Sequence, residues 1–138
     1  MPALDEYHHV VINALKADGW EIVSDQVALV LQYRRLWIDL KVKRADQNLA
    51  ILVEVKSFRN ISSPIEYLSG VVGKYRLYTA ALNLLNVDDP LYLAVPNQAF
   101  EEILSEDIGQ ALIEDAKINL VVFDIFFITL FPNLDFQL

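Results

Sequence analysis

The chain reads as an α/β domain built on a mixed sheet, and three observations carry that reading. The segment 48–57 holds an apolar run, Ala50 to Val55, that carries Glu54 and Lys56 only at its far end, the pattern of a central strand covered on both faces. Directly after it, Ser63-Pro64-Ile65-Glu66 opens a long helical pattern with a capping residue, a first-turn proline and an acid three places on. Along the whole sequence, strand-like and helix-like segments follow in the order α-β-β-β-α-β-α-α-β-β. The 138 residues are expected to form one domain, 1–138.

The first element expected is a helix from Ala3 to Lys16, in which Tyr7, Val10, Val11, Ala14 and Leu15 form one stripe. Glu6 and His8 flank that stripe and His9 lies on the far side. Gly19 stops the helix, being free to take a positive φ. Trp20 to Ser24 is a first strand, Val27 to Tyr33 is apolar and β-prone, and Leu36 to Val42 is a further strand, with Arg34-Arg35 as a turn or bulge. Ala45 to Asn48 is a polar turn into the segment 48–57. This places Asp39 and Glu54 on neighbouring antiparallel strands.

The helix from Ser63 runs to about Leu85, with Ile65, Leu68, Val72, Tyr75, Leu82 and Leu85 on its buried side. Gly70 and Gly73 each cost such a helix roughly 1 kcal/mol. Close approach of another backbone, from the sheet or a second subunit, is their expected use. Pro90 to Pro96 is a short strand. Asn97 is expected to cap a helix to about Leu104, and Ser105 another to about Ala116. Ile118 to Asp124 is a buried-type strand, and Ile125 to Phe131 a last strand rich in aromatics. That strand, with Gly70 and Gly73, predicts a homodimer or partner interface.

Composition narrows the function. A hydrophobic content of 54% supplies ample core. The absence of cysteine excludes a disulfide framework, a thiolate zinc site and a cysteine nucleophile. The N-terminus does not resemble a signal peptide, and Leu120 to Phe131, interrupted by Asp124, is too short to span a bilayer. A cytoplasmic location is expected. The net charge of −8 argues against a general nucleic-acid binder. The charge is uneven, however. Residues 34–59 hold seven basic and three acidic side chains, a local +4 that leaves −12 for the rest. An anion can approach that span, or the span is a solvated hairpin surface.

Chemistry concentrates in the same span. Asp39, then fourteen residues, then Glu54-Val55-Lys56 brings two carboxylates and a lysine onto adjacent strands. Glu54 and Lys56 are two residues apart and share one strand face. Two readings are open: metal-dependent cutting of phosphodiesters, or a salt bridge that closes a core. In the first, Asp39 and Glu54 hold Mg²⁺ or Mn²⁺ with the Val55 carbonyl as a further oxygen, and Lys56 orients or deprotonates water or neutralises developing charge. Phosphodiester cleavage needs an acceleration of about 20 kcal/mol, beyond one lysine but within reach of a Lewis acid with positioning. Glu6, His8 and His9 could extend such a site, although a lone histidine beside a core face is more often structural. Lys74 could contact phosphate; a surface lysine is the plainer reading. Asp124 reads as the start of a turn.

Several segments together resemble the XisH family, the fdxN-element excision controlling factor proteins of cyanobacteria. They are Met1-Pro-Ala-x-Asp5-x-Tyr7-His8, Leu15-x-x-Asp18-Gly19-Trp20, Val53-Glu-Val-Lys-Ser-Phe58, Gly73-x-Tyr75-x-Leu-Tyr78, Leu91-Tyr-Leu-Ala-Val-Pro96 and Val121-Val-Phe-Asp124. The resemblance implies a restriction-endonuclease-like fold of the PD-(D/E)xK type and a role in DNA excision and recombination. It also implies a XisI-type protein as partner. Carried onto this chain, the family's nuclease-like residues fall on Asp39, Glu54 and Lys56. The family's glutamine beside Gly-x-Tyr is Lys74 here, and its acidic residue after His8 is His9. Two functions follow as expectations. One is an Mg²⁺-dependent DNA nuclease acting in excision. The other is an inactive nuclease-like module that binds a protein partner and regulates a recombinase.

Overall fold

A computed structural model describes residues 7–124 and 127–131. Its elements are α1 (His8–Ala17), β1 (Glu21–Val30), β2 (Arg35–Arg44), β3 (Leu49–Val55), α2 (Pro64–Leu84), β4 (Leu91–Pro96), α3 (Asn97–Ala99), α4 (Asp107–Asp115), β5 (Asn119–Phe123) and β6 (Ile128–Phe131). The expected order of helices and strands is the observed one. The described strands form one six-stranded mixed sheet whose spatial order follows the chain, β1-β2-β3-β4-β5-β6. Pairs β1/β2, β2/β3 and β5/β6 are antiparallel, and β3/β4 and β4/β5 are parallel.

Two crossovers advance across the sheet in the same direction, so a common hand puts their helices on one face. Leu68, Val71, Tyr75, Tyr78 and Leu82 of α2 pack there, with Ile103 and Leu104, on Leu52, Leu93, Val95 and Leu120. Helix α1 covers the opposite face, where Val11 and Leu15 meet Trp20, Leu40, Ile51, Val53, Tyr92 and Ala94. Strands β3 and β4 are buried on both faces, as the unbroken apolar run requires. The Tyr75 hydroxyl fastens α2 to the sheet: it donates to the Leu91 carbonyl at 2.7 Å and accepts from the Asn119 N–H at 3.2 Å. Among the described residues, no helix is long and apolar enough to cross a membrane.

Several local expectations need correction. The two expected strands Trp20–Ser24 and Val27–Tyr33 merge into one, β1 (Glu21–Val30), carried through a bulge between Ile22 and Ser24, with 31–33 in the turn that follows. The extra residue shifts the pairing to β2 without ending the strand. Arg34 belongs to the turn, where its carbonyl accepts from Leu31 N–H, and Arg35 begins β2. Asn97 caps nothing, because Pro96 holds that position; the Asn97 amide donates to Glu101 instead. The helix it begins passes into a π-helical stretch, Phe100–Leu104. Ser105 does not cap α4, because its hydroxyl donates to the Glu101 carbonyl and Glu106 precedes the helix. Ile65 is exposed, and Val71 and Tyr78 take places on the buried side of α2. Ser63 does cap α2, accepting from the Glu66 N–H at 3.3 Å. The start of the expected first helix, with Glu6, lies outside the described residues, as do residues 125 and 126 of the last strand.

The glycines reverse the expectation. A Cβ on Gly70 or Gly73 would meet nothing within 4 Å, so the sheet does not approach them. At Gly109, which the sequence does not mark out, a Cβ would lie 2.2 Å from the Ile103 carbonyl oxygen and 2.8 Å from Leu104 Cα. Backbone is there on both counts and cannot swing aside. Gly109→Ala is therefore expected to destabilise the fold by about 1–3 kcal/mol, whereas Gly73→Ala raises stability by about 1 kcal/mol. Urea denaturation of the two variants tests both signs. Loss of stability in the Gly73 variant would place another backbone over that surface after all.

Candidate functional site

The site forms where two strands part company. Pairing of β2 with β3 runs from Arg44↔Leu49 to Leu40↔Val53 and stops there. Beyond that point β2 continues beside β1, and β3 continues beside β4. The N–H groups that the ladder no longer satisfies need acceptors, because both are buried. Two side chains supply them. Val55 N–H donates to Asp39 Oδ2 at 2.7 Å, and Asp39 N–H donates to Glu54 Oε1 at 3.2 Å. Each carboxylate thus reaches across the gap to the other strand, and Asp39 and Glu54 converge.

The turn of β2 shows in its packing as well. Ile38 belongs to the core under α2, whereas Leu40, two residues on, belongs to the core under α1. A regular strand keeps residues two apart on one face. The exchange falls at Asp39, the residue whose carboxylate bridges the gap.

Lys56 lies at the end of the same β3 face, its Nζ 3.7 Å from Glu54 Oε2. Lys74 reaches the same oxygen from α2, at 3.8 Å. The Lys74 ammonium also sits 5.6 Å above the Tyr78 ring. The carboxylates are inside and the ammonium groups outside: Asp39 and Glu54 are buried, Lys56 is partly exposed and Lys74 is exposed.

Electrostatics follow from that layering. Burial pushes the Glu54 carboxyl up to about 8, helped by the negative charge of Asp39 and a hydrogen bond to it; Lys56 and Lys74 pull the other way. Burial and the neighbouring Lys56 lower the Lys74 ammonium, against the pull of Glu54. Burial raises the Tyr78 phenol, with the Glu54 and Asp39 charges adding to it. Two carboxylates in one dry place carry a charge that a cation would relieve.

The remaining sequence candidates divide. His8 is fully buried and pairs through Nε2 with Asp25 Oδ1 at 2.9 Å, tying α1 to β1. It is a structural histidine, and His9 is exposed. Asp124 turns the chain between β5 and β6, its carboxylate accepting from the Phe127 N–H at 2.7 Å. Lys74 is the residue whose place the sequence understates. The signal was present: it is three residues after Val71 and four before Tyr78, both buried, so it borders the buried stripe.

A separate hollow lies at the ends of β3 and β4. Its volume is about 440 Å³, and Ser57, Phe58, Arg59, Asn60, Pro96 and Gln98 are among the residues around it. Phe58 and Asn60 both take positive φ there, at 58° and 56°.

Comparison with known proteins agrees with this architecture. The chain is similar to the crystal structure of an XisH family protein from Nostoc punctiforme PCC 73102, at 30% identity over 88% of this chain and 92% of that one, with a TM-score of 0.79. It is also similar to the structure of an fdxN element excision controlling factor protein from Anabaena variabilis, at 33% identity over 86% of this chain and 90% of that one, with a TM-score of 0.78. No protein of curated function matches it. The family described as XisH protein matches residues 1–129, so nearly the whole sequence and the fold point the same way: the chain belongs to the XisH family.

Proposed function

We propose that Asp39, Glu54 and Lys56 form an Mg²⁺- or Mn²⁺-dependent phosphodiester-cleaving site of the restriction-endonuclease-like, PD-(D/E)xK type, acting on DNA in site-specific excision. The observation that carries this reading is the convergence of Asp39 and Glu54 where β2 leaves β3, with Lys56 beside Glu54. The excision role comes by likeness to the Anabaena variabilis relative, whose name states it.

The donor set suits a hard cation of the magnesium kind. Such ions are held by one or two carboxylates, with water and substrate phosphate completing the shell. Among the described residues there is no cluster of three or more His, Asp or Glu side chains of the sort a zinc site would need. Asp39 and Glu54 would hold the ion, with the Val55 carbonyl as a third oxygen. Bound there, the cation supplies Lewis acidity and a more acidic water. The Val55 N–H fixes Asp39, and the Asp39 N–H fixes Glu54, so the two carboxylates are held facing one another. Lys56 places an ammonium where negative charge develops on the phosphate oxygens.

Calorimetric titration of Mn²⁺ into the wild type and Glu54→Ala tests the site. One Mn²⁺ per chain, with binding lost in the variant, is the expected result. Heat that is absent or identical in both proteins would remove the metal from the reading.

A second reading rests on the surface. Among the described strands β6 is an edge of the sheet, and Phe127 just before it and Phe131 within it are exposed. Exposed edges accept further strands. In this reading the chain is a nuclease-like interaction module that pairs with itself or with a XisI-type protein and regulates a recombinase. A monomeric mass at micromolar concentration, with no complex on adding the XisI-type protein, would end it.

A further inference from the structure

The proposed cutting site has a neighbour that its three residues do not explain. Lys56 and Lys74 share a single carboxylate oxygen, Glu54 Oε2, at 3.7 and 3.8 Å. The other Glu54 oxygen accepts from a backbone N–H, and so does Asp39. Both carboxylates are therefore anchored inward, while the two ammonium groups face the outside. Between them opens a shallow groove of about 240 Å³, lined by Lys56, Glu66, Tyr67, Gly70, Val71 and Lys74. Its floor on α2 has a bare place: Gly70 is exposed, and a Cβ there would meet nothing within 4 Å. Gly73, beside Lys74, is equally open.

We infer that this groove is a phosphate grip for one strand of duplex DNA, with Lys74 as a second cation that positions the strand over the Glu54 site. The inference rests on the nuclease reading above.

Three features select a backbone phosphate over a base. The groove offers two cationic donors spaced by one carboxylate oxygen, and no side-chain amide or hydroxyl other than the Tyr67 phenol. Phosphate contacts position a duplex, whereas amide and guanidinium contacts to base edges specify sequence. The bare glycine surface lets a bulky sugar-phosphate chain come close to the helix. Glu66 is the one acid in the groove, a turn from Gly70 and two turns from Lys74 on α2, so it repels the strand at the far end and sets where the grip stops. Of the two cations, Lys56 comes from residues 34–59, a span with surplus positive charge, and Lys74 comes from α2.

If a cation occupies the Asp39–Glu54 pair, Glu54 no longer serves as counter-ion to both lysines. Their charge is then available to the substrate. Metal and DNA would reinforce one another through Glu54, which links the grip to the cut.

The test is fluorescence anisotropy of a labelled duplex oligonucleotide over a range of salt, in Ca²⁺ to hold the site without turnover. Wild type, Lys74→Gln, Lys74→Arg and Gly70→Glu are compared. Expected is a loss of about three- to tenfold in DNA affinity for Lys74→Gln, with a salt slope smaller by about one. Lys74→Arg should keep wild-type binding, and Gly70→Glu should lose more than Lys74→Gln. The far-UV circular dichroism of Lys74→Gln should stay that of wild type, so that lost DNA binding is not lost folding. Unchanged DNA affinity and salt slope in Lys74→Gln would overturn the grip while leaving the metal site standing. Binding of inorganic phosphate that needs Lys74, with no duplex binding, would also overturn it, since the groove would then hold a free anion only. Loss of Mn²⁺ binding in wild type itself is the separate failure of the nuclease reading.

Discussion

Glu54→Ala is expected to abolish Mn²⁺-dependent nicking of supercoiled plasmid, a loss of about 10³-fold or more relative to wild type. The magnitude follows from two contributions lost together. One is a carboxylate of the proposed cation pair, and the cation is the only feature able to supply most of the roughly 20 kcal/mol that phosphodiester cleavage demands. The other is the acceptor of the Asp39 N–H, whose loss frees the second carboxylate's own strand. Lys56→Ala should fall less far, by about 10²–10³-fold, in line with the removal of one preorganised charge from a transition state. Nicking that survives Glu54→Ala undiminished would come from a contaminant or another site, and the protein-partner reading would take precedence. No nicking by wild type under any divalent ion would lead to the same place.

The second large effect is on stability and needs no substrate. The Glu54 carboxyl is raised to about 8 in the folded chain from an ordinary 4.5, by burial first and by Asp39 second. Between those values the folded state holds a proton that the unfolded state has released. Stability therefore falls as pH rises through that window, and levels off above about 8. One proton's difference between the two states costs about 1.4 kcal/mol for each pH unit, so the loss across the window is on the order of 3–4 kcal/mol. That is a large fraction of the stability of an ordinary domain. Glu54→Gln keeps an oxygen for the Asp39 N–H and removes the charge, so the decline between pH 5 and 8 should largely vanish. Urea denaturation in chelator across that range, for both proteins, measures the difference. Parallel curves for the two proteins would show that Glu54 is not the titrating group. Adding Mg²⁺ at pH 8 should restore stability to wild type by about 1.4 kcal/mol at ten times the dissociation constant, and do little for Glu54→Gln.

Much of this architecture was legible in the residues. The unbroken apolar run before Glu54 required a strand covered on both faces, and β3 is one. Ser63, Pro64 and Glu66 marked the start of α2 because a cap, a missing N–H and a first-turn acid all suit the same orphan donors. The parity of strands put Glu54 and Lys56 on one face, and they meet. Such features are local. They depend on the residues within one turn or one strand, and the chemistry of the backbone decides them wherever the segment ends up.

Other features were not local and could not be read. Nothing in Gly109 distinguishes it from Gly70, yet one has a carbonyl where its side chain would be and the other has solvent. Asn97 and Ser105 have capping chemistry, but Pro96 at the end of β4 takes the capping position, the helix passes into a π-helical stretch, and both side chains turn to Glu101. His8 became structural only because β1 brought Asp25 under it.

Periodicity and capping within short segments set the order of the elements, the start of α2 and the meeting of Glu54 with Lys56 at the end of β3. The convergence of Asp39 and Glu54, each satisfying an N–H on the other's strand, and the arrival of Lys74 beside them come from the packing of distant elements. The reason is that these contacts exist only where β2 turns away from β3 and α2 crosses the opening, and that place is set by how whole elements pack rather than by any residue in it.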